Sequence, residues 1–130
     1  MKDTDMEQTV RSVIRRMTAS SVMNLAFARN LIREVEKKAQ EMGVKAVVAV
    51  SDAAGRPVAI ECMDGAYIGS FDVALNKTFT SVAFQMSTAE LGKLASPGGS
   101  LYGIQNTNDG KIVIFGGGEP LYVDDVLIGA

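Results

Sequence analysis

The stretch Val44-Lys45-Ala46-Val47-Val48-Ala49-Val50 most constrains the fold. It is short, largely apolar and rich in β-branched residues, which suits a strand covered by other elements. Ser51-Asp52-Ala53-Ala54-Gly55-Arg56 then supplies turn chemistry, and residues 57–63 return as a second strand. The two make a hairpin.

Helical periodicity precedes the hairpin. Met6, Val10, Val13, Ile14 and Met17 fall on one face, and Ala28, Leu31, Ile32, Val35, Ala39 and Met42 fall on another. Residues 18–21 are small and include good N-caps, so two helices are expected to meet there, with Gly43 closing the second. After the hairpin, Asp64 can cap a helix over residues 70–86, whose stripe is Phe71, Leu75, Phe79, Val82 and Met86. Ser87 or Thr88 caps a short further helix that ends at Pro97-Gly98-Gly99.

The last third reads as strands. Residues 101–107 and 111–115 flank Asn108-Asp109-Gly110, a strong hairpin signal. Residues 121–123 and 126–128 flank the Asp124-Asp125 turn. Short turns between neighbouring strands imply an antiparallel sheet with packed helices, an α+β fold. The last apolar run, Ile128-Gly129-Ala130, is either an edge strand that a partner covers or part of a longer sequence.

Composition narrows the chemistry. A chain of 130 residues, 47% hydrophobic and 22% charged, is one globular domain rather than a disordered segment. Thirteen Lys and Arg against 15 Asp and Glu leave no basic excess for nucleic acid or an anionic membrane. No histidine is present, which excludes imidazole as base or metal ligand and every Ser-His-Asp or Cys-His arrangement. The lone Cys62 excludes an intrachain disulfide and a Cys-rich zinc site, and it reads as a small buried hydrophobe. The charged first 17 residues are no signal peptide, and no apolar stretch approaches the roughly 20 residues of a membrane span. A cytoplasmic protein is expected.

Four features bear on a site. Lys77 shares a semi-apolar helical stripe with Val73, Thr80, Ser81 and Phe84. It is either a lysine at the lip of a pocket, seeking an anion such as a carboxylate, or one whose stem covers apolar surface. Phe115-Gly116-Gly117-Gly118-Glu119-Pro120 lacks the Gly-Lys-Ser/Thr ending of a phosphate loop. It is therefore either a wide turn approaching another segment or a ligand wall. Met63 and Asp64 stand at the strand-to-helix corner, where they would form the rim of such a pocket. Arg11, Arg15 and Arg16 make a short basic patch that reads as a solvated helix face.

In register, several motifs resemble the haem-binding GlcG/HbpS-like family, in particular the branch similar to the C-terminal domain of PduO. They are Val48-Ala49-Val50-Ser51-Asp52-Ala53-Ala54-Gly55, Cys62-Met63-Asp64-Gly65-Ala66, Ser70-Phe71-Asp72-Val73-Ala74-Leu75-Asn76-Lys77, Ser100-Leu101-Tyr102-Gly103-Ile104-Gln105, Phe115-Gly116-Gly117-Gly118-Glu119-Pro120 and Ile128-Gly129-Ala130. The resemblance covers residues 21–130 and leaves residues 1–20 as a helical extension. It implies a profilin-like fold with a five-stranded antiparallel sheet, homo-oligomeric assembly, and an association with B12-dependent diol or glycerol breakdown, in some cases within bacterial microcompartments. It implies haem or another tetrapyrrole as cofactor. Axial ligation in this branch uses histidine, so here it would fall to Met, Tyr, Cys62 or Lys77. The family continues past Ile128-Gly129-Ala130 with a Gly-Val-Ser-Gly-Gly segment and a final helix, absent from these residues. The expectation is a binding module for a tetrapyrrole or another small anion, with Lys77, Met63, Asp64, Gly116, Gly117 and Gly118 as ligand-binding residues and no catalytic or metal-binding set. The alternatives are a structural or interaction protein with a vestigial pocket, and a haem-degrading enzyme.

Overall fold

The computed structural model describes residues 3–16 and 22–130. Strand β1 (Val47–Ser51) pairs antiparallel with β2 (Pro57–Cys62), Val47 lying opposite Cys62 and Val50 opposite Ala59. The turn between them closes on Asp52, whose Oδ1 accepts the N–H groups of Ala54 and Arg56, each at 3.0 Å. A second hairpin joins β3 (Leu121–Val123) to β4 (Val126–Gly129). Its tight turn places Asp124 and Asp125 at φ 48° and 63°, a conformation that short Asp side chains tolerate.

The two hairpins meet at Ser51. Its N–H donates to the Ala130 carbonyl at 2.9 Å, and the Ala130 N–H donates back to the Ser51 carbonyl at 3.1 Å. A bridge between Asp52 and Gly129 extends the contact. A side chain on Gly129 would strike the Ser51 carbonyl, so glycine permits this approach. β4 is thus joined to neighbours on both sides, and Ile128, Gly129 and Ala130 are buried, which overturns the reading of the last strand as an edge.

Helix α1 (Asp3–Arg16) packs on α2 (Leu25–Glu41), and the expected faces form the core. Met6, Val13, Phe27, Leu31, Ile32 and Val35 are buried with Val50, Leu121 and Ile128. The start of α2 differs from expectation. Asn24 is its cap, its Oδ1 accepting the Phe27 N–H at 2.8 Å, while the break placed at residues 18–21, Met17 and the side chains of Arg15 and Arg16 lie outside the described residues. The far end is as expected. Gly43 at φ 71° lets its N–H reach the Gln40 carbonyl while Val44 reaches Ala39, a Schellman closure.

Helix α3 (Ser70–Phe84) buries a different face from its apolar stripe. Thr78, Thr80 and Ser81 are its buried residues, whereas Phe71 is 40% exposed. The hydroxyls make this possible: Thr78 donates to the Leu75 carbonyl and Thr80 to the Asn76 carbonyl, each at 2.7 Å. Their second hydrogen bonds then reach outward, Thr78 to Ser51 and Thr80 to the Val113 N–H. Helix α4 (Thr88–Leu94) starts on Ser87, whose Oγ accepts the Glu90 N–H at 3.0 Å.

The expected five-stranded sheet is not seen; the described residues hold two two-stranded pairs. The segment read as strands 101–107 and 111–115 folds as turns and two short 3-10 helices, Ile104–Asn106 and Asn108–Gly110. Asn108 and Asp109 both take positive φ, but the chain beyond them finds helices rather than a strand partner. The Val113 N–H goes to the Thr80 hydroxyl at 3.0 Å, and the Ile114 carbonyl lies against Gly92 of α4. A Gly92 side chain would collide with that carbonyl. In an open helix Gly→Ala stabilises by up to about 1 kcal/mol. Gly92→Ala is instead expected to destabilise by about 2 kcal/mol, a reversal of sign that urea unfolding would read directly.

Candidate functional site

The residues from Val44 to Val50 line one side of a cleft of about 560 Å³. Val73, Ala74, Lys77 and Thr78 of α3 line it from another side, and the glycine turn at Gly117 and Gly118 closes it. Met6 and Val10 of α1, with Leu31 and Val35 of α2, extend the apolar wall. Such a volume and such walls suit a small-molecule site.

Lys77 is one of three charged residues that line these walls, with Lys45 and Glu119. The spacing of residues 73, 74, 77 and 78 puts all four on one helical face, so the second, semi-apolar stripe is the one that faces inward. Its Nζ lies 4.6 Å from the centroid of the Phe115 ring, within reach of a cation–π attraction. On the other side lies Gly117, at φ 123°; a Cβ there would sit 2.6 Å from the same nitrogen. Glycine is needed at 117 because a φ of 123° strains any L side chain, and the ammonium uses the space left open.

The turn itself is anchored. Gly118 donates its N–H to Thr88 Oγ1 at 2.8 Å, and Thr88 returns its N–H to the Gly118 carbonyl at 3.0 Å. A Cβ on Gly118 would lie 2.6 Å from the Thr88 methyl and 3.0 Å from both the Lys77 carbonyl and Ser81 Oγ. The glycine run is therefore both a close backbone approach and a cleft wall.

The structure brings Lys77, Gly117 and Gly118 together and leaves the other expected residues elsewhere. Gly116 is not among the residues that line the cleft, and neither are Met63 and Asp64. Met63 is bound into the hairpin: its N–H donates to the Ala46 carbonyl at 2.9 Å and its Sδ accepts the Ala46 N–H at 3.4 Å. Asp64 is exposed in a turn, and α3 begins after Gly69 without a side-chain cap, so the capping role expected of Asp64 is not seen. Cys62 is exposed rather than buried, because it ends β2.

Glu119 is the residue that sequence reading passed over. It lines the cleft directly after the glycines, and its Oε1 is buried without a hydrogen bond, 3.8 Å from the Arg11 guanidinium. Burial pushes its carboxyl up to about 7, Glu7 and Glu90 push the same way, and Arg11 opposes them. Those partners come from positions 7, 11 and 90, so no local motif announces them. Arg11 also pairs with Glu7 at 3.7 Å and remains 63% exposed, in keeping with the expected solvated face. Among the described residues no group of three or more Cys, Asp or Glu is placed to hold a metal ion.

Fold and cleft together define a small α+β protein with an apolar, lysine-bearing cavity. Residues 23–130 match the family described as haem degrading protein HbpS-like, and the chain belongs to that family. It is 40% identical over 110 residues to a 15.0 kDa protein from the dhaT-dhaS intergenic region of Citrobacter freundii, covering 85% of this chain and 78% of that one. It is 38% identical over 99 residues to the corrinoid adenosyltransferase PduO of Salmonella typhimurium, covering 76% of this chain but only 30% of PduO. The solved structure of a PduOC–haem complex superposes with a TM-score of 0.80 at 35% identity, covering 83% of this chain and 78% of that one. The family and its PduO-like relatives are those the sequence motifs pointed to. No helix among the described residues is long and apolar enough to cross a membrane.

The buried carboxyl has a consequence for stability. Because Glu119 keeps its proton in the fold up to about pH 7, and the unfolded chain releases it near 4.5, the folded form binds more protons between these values. Stability therefore falls as pH rises from about 5 to about 7 and levels off above. Glu119→Gln should remove this part of the slope, measured as the difference between variant and parent in urea unfolding at each pH.

Proposed function

We propose that the chain is an oligomeric accessory protein that binds, rather than transforms, a tetrapyrrole or a related small anion in the cleft beside Lys77. The observation that carries the reading is the Lys77 ammonium, held in an apolar cavity between the Phe115 ring and Gly117. Half-buried, such a charge interacts more strongly with an anionic group such as a haem propionate than a fully exposed one would. A volume of about 560 Å³ lies within the usual range for ligand pockets, and the valines of β1 offer a surface for a flat apolar ring. Haem therefore fits the donor set as an apolar anion. With no histidine in the chain, iron ligation would fall to Met6, Tyr67 or Lys77, which line the cleft, and not to Met63 or Cys62, which do not. When bound, haem would supply redox and ligand-binding chemistry; the protein's part is to seat it, orient it through Lys77 and exclude water.

Family membership supports the ligand class, since a PduO-like relative is a haem complex. Similarity to PduO also supports a setting in corrinoid-dependent diol or glycerol utilisation, in the cytoplasm or a microcompartment. The adenosyltransferase activity is not carried over, because the chain spans about a third of PduO. We assign residues 21–130 as the family domain and residues 1–20 as an extension whose Met6 and Val10 complete the cleft wall. Homo-oligomers, with no nucleic acid or membrane partner, complete the reading. A structural role with a vestigial pocket is the second reading, favoured by Tyr67 and Ile68, which stand 85% and 96% exposed at the cleft mouth and its flank.

Titration with haemin, followed by its absorption spectrum, separates the two readings. Binding is expected, and Lys77→Ala should weaken it roughly tenfold. The dimethyl ester of haemin, which has no propionate charge, should bind the parent and Lys77→Ala alike. An unchanged spectrum at tens of micromolar, or equal haemin affinity for parent and Lys77→Ala, would favour the structural role.

A further inference from the structure

The cleft has a second lysine at its other end. Lys45 lines it from the segment before β1, whereas Lys77 lines it from α3. Lys77 is next to Thr78, whose hydroxyl meets Ser51 Oγ at the end of β1, 2.7 Å away. Lys45 is next to Ala46, whose carbonyl accepts the Met63 N–H at 2.9 Å and so continues the hairpin past Val47. From Ala46 to Ser51 the extended chain covers about 16 Å, at roughly 3.3 Å per residue. Between the two ends the lining is Val47, Ala49, Val73 and Ala74.

The Lys45 side chain is seated much as that of Lys77 is. It lies along Gly65, at φ 82°, where a Cβ would sit 2.8 Å from its Cδ and 3.1 Å from its Nζ. Gly65 follows β2, whose last residue, Cys62, stands opposite Val47, so the ammonium is at the Val47 end of the wall. Lys45 is exposed at the cleft mouth, and among the described residues no carboxylate comes within ion-pair distance of it. Glu119, the third charged residue of the lining, faces Arg11 at 3.8 Å and cancels at most one of the two lysine charges. The result is an apolar wall with a cation at each end.

We infer that the cleft takes a tetrapyrrole carrying carboxylates on two opposed edges, one edge meeting Lys77 and the other Lys45. The inference rests on the tetrapyrrole reading above and narrows its ligand class. Protoporphyrin has both propionates on one edge, so a molecule held by Lys77 leaves Lys45 without an anion. A porphyrin with propionates on opposed edges supplies one to each lysine, and the span between the ends of β1 is comparable with the distance between those edges.

The probes are two metal-free porphyrins, coproporphyrin III, whose four propionates are spread over opposed edges, and protoporphyrin IX, each titrated into the full chain by fluorescence. Lys45→Gln keeps most of the stem and removes the charge at an exposed position, so the fold is retained, as circular dichroism verifies. It is expected to weaken coproporphyrin roughly fivefold, the upper range for an exposed ion pair, and protoporphyrin by less than about twofold. Lys45→Arg should bind both porphyrins like the parent, which a loss of stem packing alone would not produce. If protoporphyrin binds but coproporphyrin does not, or if Lys45→Gln leaves coproporphyrin unchanged or weakens both porphyrins alike, this inference falls and the tetrapyrrole reading stands. If neither porphyrin binds, both fall together.

Discussion

The structure depends on Ser51. This residue is fully buried, and its backbone exchanges two hydrogen bonds with Ala130, tying the two hairpins together. Its side chain reaches the other way, to Thr78 of α3 at 2.7 Å. Thr78 gives its own proton to the Leu75 carbonyl, so Ser51 is the donor in that pair. One small residue thus satisfies every polar group it buries and joins β1, β4 and α3. A larger side chain would part the layers, and an apolar one would leave the buried Thr78 hydroxyl short of a donor.

The same logic places the site. Once α3 is fixed by Thr78 against Ser51 and by Thr80 against the Val113 N–H, Lys77, the residue before Thr78, faces the cleft. The glycine turn is positioned independently, through the reciprocal bonds of Gly118 with Thr88. Two rigid supports therefore meet at Lys77 Nζ and Gly117, where the absence of a side chain gives the ammonium its place. Helix α1 completes the arrangement from outside, closing the apolar wall with Met6 and Val10 and carrying Arg11 to Glu119. A lysine on an apolar wall and a half-compensated glutamate thus lie within one small fold.

Much of this was legible in the chain. The hairpin around residues 47–62, the faces of α1 and α2 and the turn at Asp124-Asp125 follow from periodicity and turn chemistry, which are local. Lys77, Gly117 and Gly118 were legible for the same reason, one as a charge on a semi-apolar stripe and the others as a run that reads as either a close approach or a ligand wall. What local pattern could not carry was partner choice. Thr78 and Thr80 are polar, yet they lie on α3's buried face because their hydroxyls bond backward along the helix, while Ser81 is buried beside them with its Oγ unpartnered. Asn108-Asp109-Gly110 looks like a hairpin turn, yet the following residues satisfy their backbone on Thr80 and pass over Gly92. Met63 and Asp64 looked like a rim because they stand at a corner in sequence, but Met63 is turned into the hairpin by Ala46. Glu119 was hidden because its charged environment is assembled from two distant elements, α1 and α4.

The central claim is that the cleft between β1, α3 and the glycine turn is where a tetrapyrrole binds. Iron-free protoporphyrin IX, which is diamagnetic, allows that to be located by NMR without paramagnetic broadening. The account predicts that its addition shifts the backbone signals of Val47, Ala49, Val73 and Ala74 and of Gly117 and Gly118, while Tyr102 and Asp109 stay unmoved. Saturable shifts centred away from those residues, or none at all at saturating porphyrin, would contradict it.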